Sequence, residues 1–157
     1  MAGVHIEVLD AEFKAGMAKL TQNVTALDGF LRDIGEYLLR SHDERWGRSP
    51  DGQPWAPLSP EYAARKAEKR PNAPTLVWDE HLRRLQYQVS GDTLMVGSDR
   101  VYAAAHQFGL PKGYAGHDKH GHPIPWGDIP ARPFLGLDDD DHTEILARLR
   151  LHLAALP

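Results

Sequence analysis

Phe13, Met17, Leu20, Val24, Leu27, Leu31, Ile34 and Leu38 are spaced alternately four and three residues apart. A helix over this stretch carries one continuous apolar face. The spacing is that of coiled-coil a and d positions. It favours a long helix laid on its own sheet, with a stripe shared in part with a neighbouring subunit as the alternative. Asp10 is placed to cap the helix, with Glu12 in the first turn where the helix dipole favours acid. The weak helix formers between Thr21 and Thr25 mark the place for a kink or break, and Gly47 is suited to end the segment. Upstream, Val4, Ile6 and Val8 alternate with His5 and Glu7, the period of a short half-buried strand.

Beyond the helix the pattern shortens. Residues 48 to 60 form a loop in which Pro50-Asp51-Gly52 signals a turn. Ser59-Pro60 then reads as a cap with proline at the first helical position. A short basic helix from about Glu61 to Lys69 is stopped by Pro71 and Pro74. Leu82, Leu85, Tyr87 and Val89 lead into Gly91-Asp92, and Leu94, Met95 and Val96 follow. This predicts two antiparallel strands joined by a tight turn. Val101 to Phe108 predicts a short helix closed by Gly109. Residues 110 to 133, rich in Gly and Pro, form a long loop, and Leu110 to Trp126 is expected to be mobile. Asp138 caps a last amphipathic helix carrying Ile145, Leu146, Leu149, Leu153 and Leu156. With no repeat and no linker, residues 1–157 read as one α+β domain. A small, mostly antiparallel sheet, with its hairpin near 84–97, is packed against the long N-terminal helix and the C-terminal helix.

Composition narrows the chemistry. The chain has 157 residues, 41% of them hydrophobic and 25% charged, enough apolar material for a core without a metal or disulfide staple. It has no cysteine, which rules out disulfides, thiolate metal sites and cysteine nucleophiles. A net charge of −4 disfavours DNA as the main partner. No apolar run approaches the ~20 residues that span a bilayer, and the first residues show no basic and apolar pattern of a secretion signal.

Four segments carry a family resemblance. They are Ser49-Pro50-Asp51-Gly52-Gln53-Pro54-Trp55-Ala56-Pro57-Leu58-Ser59 with Tyr62 and Lys66 after it, Leu94-Met95-Val96-Gly97-Ser98, Val101-Tyr102-Ala103-Ala104-Ala105-His106-Gln107-Phe108-Gly109, and Ile129-Pro130-Ala131-Arg132-Pro133-Phe134-Leu135-Gly136. In this order and spacing the chain resembles the virion morphogenesis (tail completion) family of contractile-tailed phages. It departs at Leu76-Val77-Trp78-Asp79-Glu80-His81-Leu82, where the family pattern is Leu-x-x-Thr-Gly-x-Leu. The resemblance implies a non-enzymatic assembly protein with no cofactor, acting in tail completion or head–tail joining. It would act as a homo-oligomeric ring, a hexamer at a six-fold junction, contacting tail tube, neck or connector proteins. The expected location is the virion tail or neck, with assembly in the host cytoplasm. Trp55, Tyr102, Phe108 and Phe134 lie among prolines and glycines on sharply turning segments, and serve either as core plugs or as interface anchors. Arg132, between two prolines, is expected to meet a carboxylate, in its own chain or across a subunit boundary. Its removal is expected to leave the isolated domain folded. The interface candidates are thus Trp55, Tyr102, Phe108, Arg132 and Phe134.

Two other chemistries compete. His117, Asp118, His120 and His122 are metal-ligating residue types within six positions, and would suit a metal-dependent hydrolase. They sit in a loop that does not preset ligand geometry, and the two-histidine helical signature of zinc proteases is absent, so no metal site is assigned. Arg65, Lys66, Lys69 and Arg70, with Arg83 and Arg84, could touch DNA or an acidic protein. The acidic balance of the chain favours a solvated helix face and limits any DNA contact. Neither a Gly-x-Ser-x-Gly elbow nor a phosphate-binding loop is present. Asp138 to Asp141 lacks the alternating spacing of a calcium loop.

Overall fold

A computed structural model describes residues 10–114, 116–117, 119–122 and 128–156. The strand expected at 4–8 lies outside them, as do Ala115, Asp118 and residues 123–127 of the long loop. The element order is α1 Ala11–Leu20, α2 Val24–Glu44, α3 Pro60–Lys69, β1 Gln86–Ser90, β2 Thr93–Gly97, α4 Ala103–Phe108 and α5 Asp139–Ala154. Among the described residues the sheet is the two-stranded antiparallel hairpin β1–β2, and the fold is α+β.

The N-terminal apolar stripe is divided between two helices. Asp10 caps α1 by accepting from the Phe13 N–H at 2.9 Å. α1 then ends at the foreseen weak point, where Thr21 Oγ donates to Ala18 O and Asn23 accepts from Ala26 N–H at 3.0 Å to start α2. The break re-phases the stripe. Leu27, Leu31, Ile34 and Leu38 are buried as expected, Phe30 joins them, and Val24, at the new N-terminus, is solvent-exposed. α2 ends at Glu44, three residues before Gly47.

α2 is the central element, and the hairpin, α1 and α5 all rest on it. Leu20, Leu27, Phe30, Leu31, Ile34, Leu38, Ile145 and Leu149 form the main core, with Val89, Leu94 and Val96 of the hairpin packed on it. The hairpin approaches α2 closely at Gly35, where a Cβ would come within 2.6 Å of the Tyr87 ring. A second cluster joins Trp55, Leu82, Ala103, Phe134 and Leu135 to Trp46, Leu76 and Leu85. It is built by segments with little regular structure, so the side chains that tie their backbone together decide its shape.

A buried polar junction connects the two cores. Asp138 and Asp141 form a reciprocal capping box at the start of α5. Asp141 also accepts from Ser41 Oγ at 2.5 Å and Tyr37 OH at 2.9 Å, and pairs with Arg45. Burial, then the bond to Asp141, pushes the Tyr37 phenol up to about 12. Arg45 also pairs with Asp138 and donates to Gly136 O. His42 Nε2 accepts from Gly136 N–H at 3.3 Å, while Nδ1 donates to Leu38 O at 2.6 Å. These bonds fix a neutral imidazole, and burial followed by the nearby Arg45 charge lowers its pKa.

Candidate functional site

Three of the four segments singled out in the sequence converge on the second cluster. The 48–54 loop closes on itself through Ser49 N–H to Gln53 O at 2.8 Å and Gly52 N–H to Ser49 O at 2.9 Å. This delivers Trp55 to the interior, where its Nε1 donates to Pro133 O at 2.7 Å. Trp46 lies edge-on to Trp55, with ring centroids 5.2 Å apart, and leans on Phe134 at 5.8 Å. Trp55 and Phe134 are therefore core residues of the isolated chain, and they can reach a partner only by shaping the surface above them.

Arg132 is buried, with 5% of its surface exposed. Its Nε donates to Ala56 O and a terminal nitrogen to Pro57 O, both at 2.8 Å. The acceptors are carbonyls, where the sequence suggested a carboxylate. A Pro-rich extended loop leaves carbonyls with no secondary-structure partner, and a guanidinium can serve two at once. Burial lowers the Arg132 pKa from its ordinary value. Arg132 is an internal clamp, which corrects the expectation that a charged loop residue lies outside the core.

Gln107 is the residue that sequence reasoning missed. α4 is amphipathic over a single turn and turns Ala103 and Gln107 inward. The Gln107 side-chain oxygen accepts from the N–H groups of Phe134 and Leu135, both at 3.0 Å, and its nitrogen donates to Leu135 O at 2.9 Å. One side chain thus pairs three buried backbone groups of the 129–136 segment. Arg132 N–H donates to His106 O at 2.7 Å, and Leu110 and Ile129 exchange two backbone bonds of 2.8 Å. Gly109 allows this approach, since it has φ +78° and a Cβ would lie 2.9 Å from Ile129 O. The only advance sign of Gln107 was its position, four residues after Ala103 on an otherwise apolar face.

The two ends of α4 are different. Val101 and Tyr102, just before the helix, are 97% and 37% exposed, and Phe108, its last residue, is 62% exposed. Tyr102 stacks edge-on to His106 at 6.1 Å. Burial, then the Arg132 charge, lowers the His106 pKa, which favours a neutral ring beside the clamp. Of the five candidates, Tyr102 and Phe108 thus face solvent, while Trp55, Arg132 and Phe134 brace the scaffold beneath.

The other sequence candidates are more dispersed. Lys66 is buried and donates to Pro74 O. Arg65 lies over the Tyr62 ring, and Arg70, Arg83 and Arg84 pair with Asp79, Asp43 and Glu80. His117, His120 and His122 are exposed, and Asp118 lies outside the described residues. Among the described residues no three His, Asp or Glu side chains are grouped to hold a metal. Nor is any helix among them long and apolar enough to cross a membrane. Within the departure at 76–82, Glu80, standing where the family pattern has Gly, adopts φ +61°, in the left-handed region that favours glycine.

Comparison with known proteins identifies the family. The model of the phage virion morphogenesis family matches residues 8–154. A protein of Escherichia phage Mu, "Putative capsid assembly protein G", is 28% identical over 129 residues, covering 79% of this chain and 78% of that protein. No solved structure matches the chain. The braced segments 49–59, 101–109 and 129–136 all fall within the matched range, and the chain belongs to the phage virion morphogenesis family, with a role in phage assembly.

Proposed function

We propose that this chain acts without catalysis or cofactor in tail completion or head–tail joining. It works as a homo-oligomeric ring that contacts tail tube, neck or connector proteins in the virion. The observation that carries this reading is the exposure of Val101, Tyr102 and Phe108 at the two ends of a short helix whose inner side is held by the Gln107 side chain and by the Arg132 N–H on His106 O. Large apolar groups held on a rigid support lose little freedom on docking, and an aromatic anchor of this kind contributes about 2 kcal/mol or more. Trp55, Phe134 and Arg132 enter as the support for that face. DNA contact is limited in this reading, because much of the basic stretch is paired or buried.

The test is complementation of a phage lacking the gene, with particles examined by negative-stain microscopy. Loss of the protein should yield separate heads and tails. Phe108→Ser should give the same defect with an unchanged melting temperature, because Phe108 contributes little to the core. Normal joined particles from the deletion phage would overturn the neck role. Full infectivity of Phe108→Ser together with Tyr102→Ser would overturn the assignment of this face.

A further inference from the structure

We infer that the basic flank of α3 is a contact between copies of this chain, receiving the acidic start of α5 from the neighbouring copy. This rests on the ring reading above and names its contact.

Among the described elements no other helix or strand packs against α3. Lys66 is its one buried residue, and Ala63, Ala64 and Ala67 are exposed. A helix of ten residues is too short to hold by propensity alone, and helices of that length are stabilised chiefly by a packed face. Here α3 is secured by its cap and by one side chain. Ser59 accepts from the Tyr62 N–H at 3.4 Å, and Lys66 donates to Pro74 O. The rest of its surface is open. Trp78, 37% exposed, leans on Tyr62 with ring centroids 6.5 Å apart, and the Arg65 guanidinium lies 5.3 Å from the centre of the Tyr62 ring.

The charges on this flank are not balanced within the chain. Most arginines pair with an acid. Among the described residues Arg65 and Lys69 do not, and neither forms an ion pair with Glu61 or Glu68 of the same helix. They are neighbours one helical turn apart, where like charges repel. The complement lies on α5. Asp138 and Asp141 are taken up by the capping box and Arg45. Asp139 and Asp140 are exposed and have no cationic partner among the described residues. Within one chain α3 and α5 do not touch. Between copies they match in two ways. The two carboxylates meet Arg65 and Lys69, and the positive end of the α5 dipole meets the negative end of α3. Exposed ion pairs add little affinity, but they decide which surfaces meet and in what register. Trp78, beside the flank, offers an apolar anchor. DNA suits the flank less, because Glu61 and Glu68 place two carboxylates on the same helix. The two surfaces differ, so the contact is head-to-tail and closes into a ring under rotational symmetry.

Two double variants reverse the two surfaces separately: Arg65→Glu with Lys69→Glu, and Asp139→Lys with Asp140→Lys. The capping box of Asp138 and Asp141 is kept in both, and circular dichroism checks the fold. Oligomers are followed by light scattering of the full chain at low salt, and in particles by complementation. Each variant alone should be monomeric and fail to complement, because like charges then meet. An equimolar mixture should regain oligomers, and co-expression should regain infectivity. In an alternating ring every reversed α3 meets a reversed α5, and every native α3 a native α5. Asp139→Asn with Asp140→Asn, which removes only the charge, should weaken self-association about ten-fold. Unchanged self-association of that variant, or oligomers of either reversed variant alone, would overturn the contact and leave the ring standing. Reversed variants that stay monomeric when mixed would overturn a second copy as the occupant. Duplex DNA bound by the wild type and not by Arg65→Glu with Lys69→Glu would in that case assign the flank to phosphate. A wild-type chain that stays monomeric both alone and in cross-linked particles would overturn the ring as well.

Discussion

Replacing Gln107 by alanine removes one side chain and strands three backbone groups. Phe134 N–H, Leu135 N–H and Leu135 O lose partners at 3.0, 3.0 and 2.9 Å, in a place where Gln107 itself is buried. Each orphaned buried group costs about 1–3 kcal/mol. The two N–H groups share one acceptor, so the sum is about 3–5 kcal/mol rather than three independent losses. For a domain of this size that lowers the melting temperature by on the order of 10 °C. The assay is thermal unfolding followed by tryptophan fluorescence, since Trp46 and Trp55 both adjoin the affected segment. Gln107→Glu separates the two halves of the interaction. It keeps the acceptor but sets an oxygen against Leu135 O, so the protonated carboxyl, which can donate, suits the site better. The folded pKa is then raised, and the lost stability should return as pH falls through that raised value. A melting temperature for Gln107→Ala within about 3 °C of wild type would refute the view that this side chain holds the 129–136 segment.

Arg132→Ala should lose about 2–3 kcal/mol in chemical denaturation, because two buried carbonyls lose a charged donor, and Arg132→Lys should recover part of it. A wild-type midpoint for Arg132→Ala would show that the clamp is idle. Glu80→Gly should gain about 1 kcal/mol by relieving the left-handed backbone, and an unchanged or lower melting temperature would contradict that. The His42 pKa lies below its ordinary 6.5, so the unfolded chain takes up its proton first. Stability should therefore fall as pH drops below 6.5, and level off once folded His42 is protonated. Burial acts to raise the Asp141 pKa, but bonds from Arg45 and Ser41 hold it below the ordinary 3.8, which adds a second loss at lower pH. His42→Gln should flatten the melting curve between pH 7 and 5 and leave the acid limb intact.

Local rules carried much of the fold into the sequence. Asp10, Ser59 and Asp138 were legible as caps because a capping side chain acts within three residues of itself. Gly91-Asp92 was legible as a turn for the same local reason. The apolar stripe gave the core face of α2 but misplaced Val24, because a heptad count cannot register the new start that Asn23 imposes. The site was less legible. Trp55 and Phe134 were recognised as aromatic residues on stiff loops, but whether such residues point inward depends on which loop meets them. That meeting is set by Gln107 and Arg132, which act on backbone atoms roughly 27 and 76 residues away in sequence. Composition shows a polar residue, and only the fold shows what it satisfies. His42 and Arg45 were hidden likewise, each reading as an ordinary residue near a helix end until α5 was set beside them.

The two cores are nested along the chain. α1 and α2 supply one side of the main core, Ile145 and Leu149 supply the other, and the second cluster is drawn from the residues between. During synthesis the main core thus stays open until nearly the whole chain has left the ribosome, while residues 46–135 can already gather. Arg45 and Gly136, at the two ends of that inserted stretch, are bonded to each other. The insert consequently has its ends fastened together, and can order as a closed lobe before α5 arrives. A nascent or truncated chain lacking α5 would expose the apolar side of α2 and leave Arg45 without Asp141.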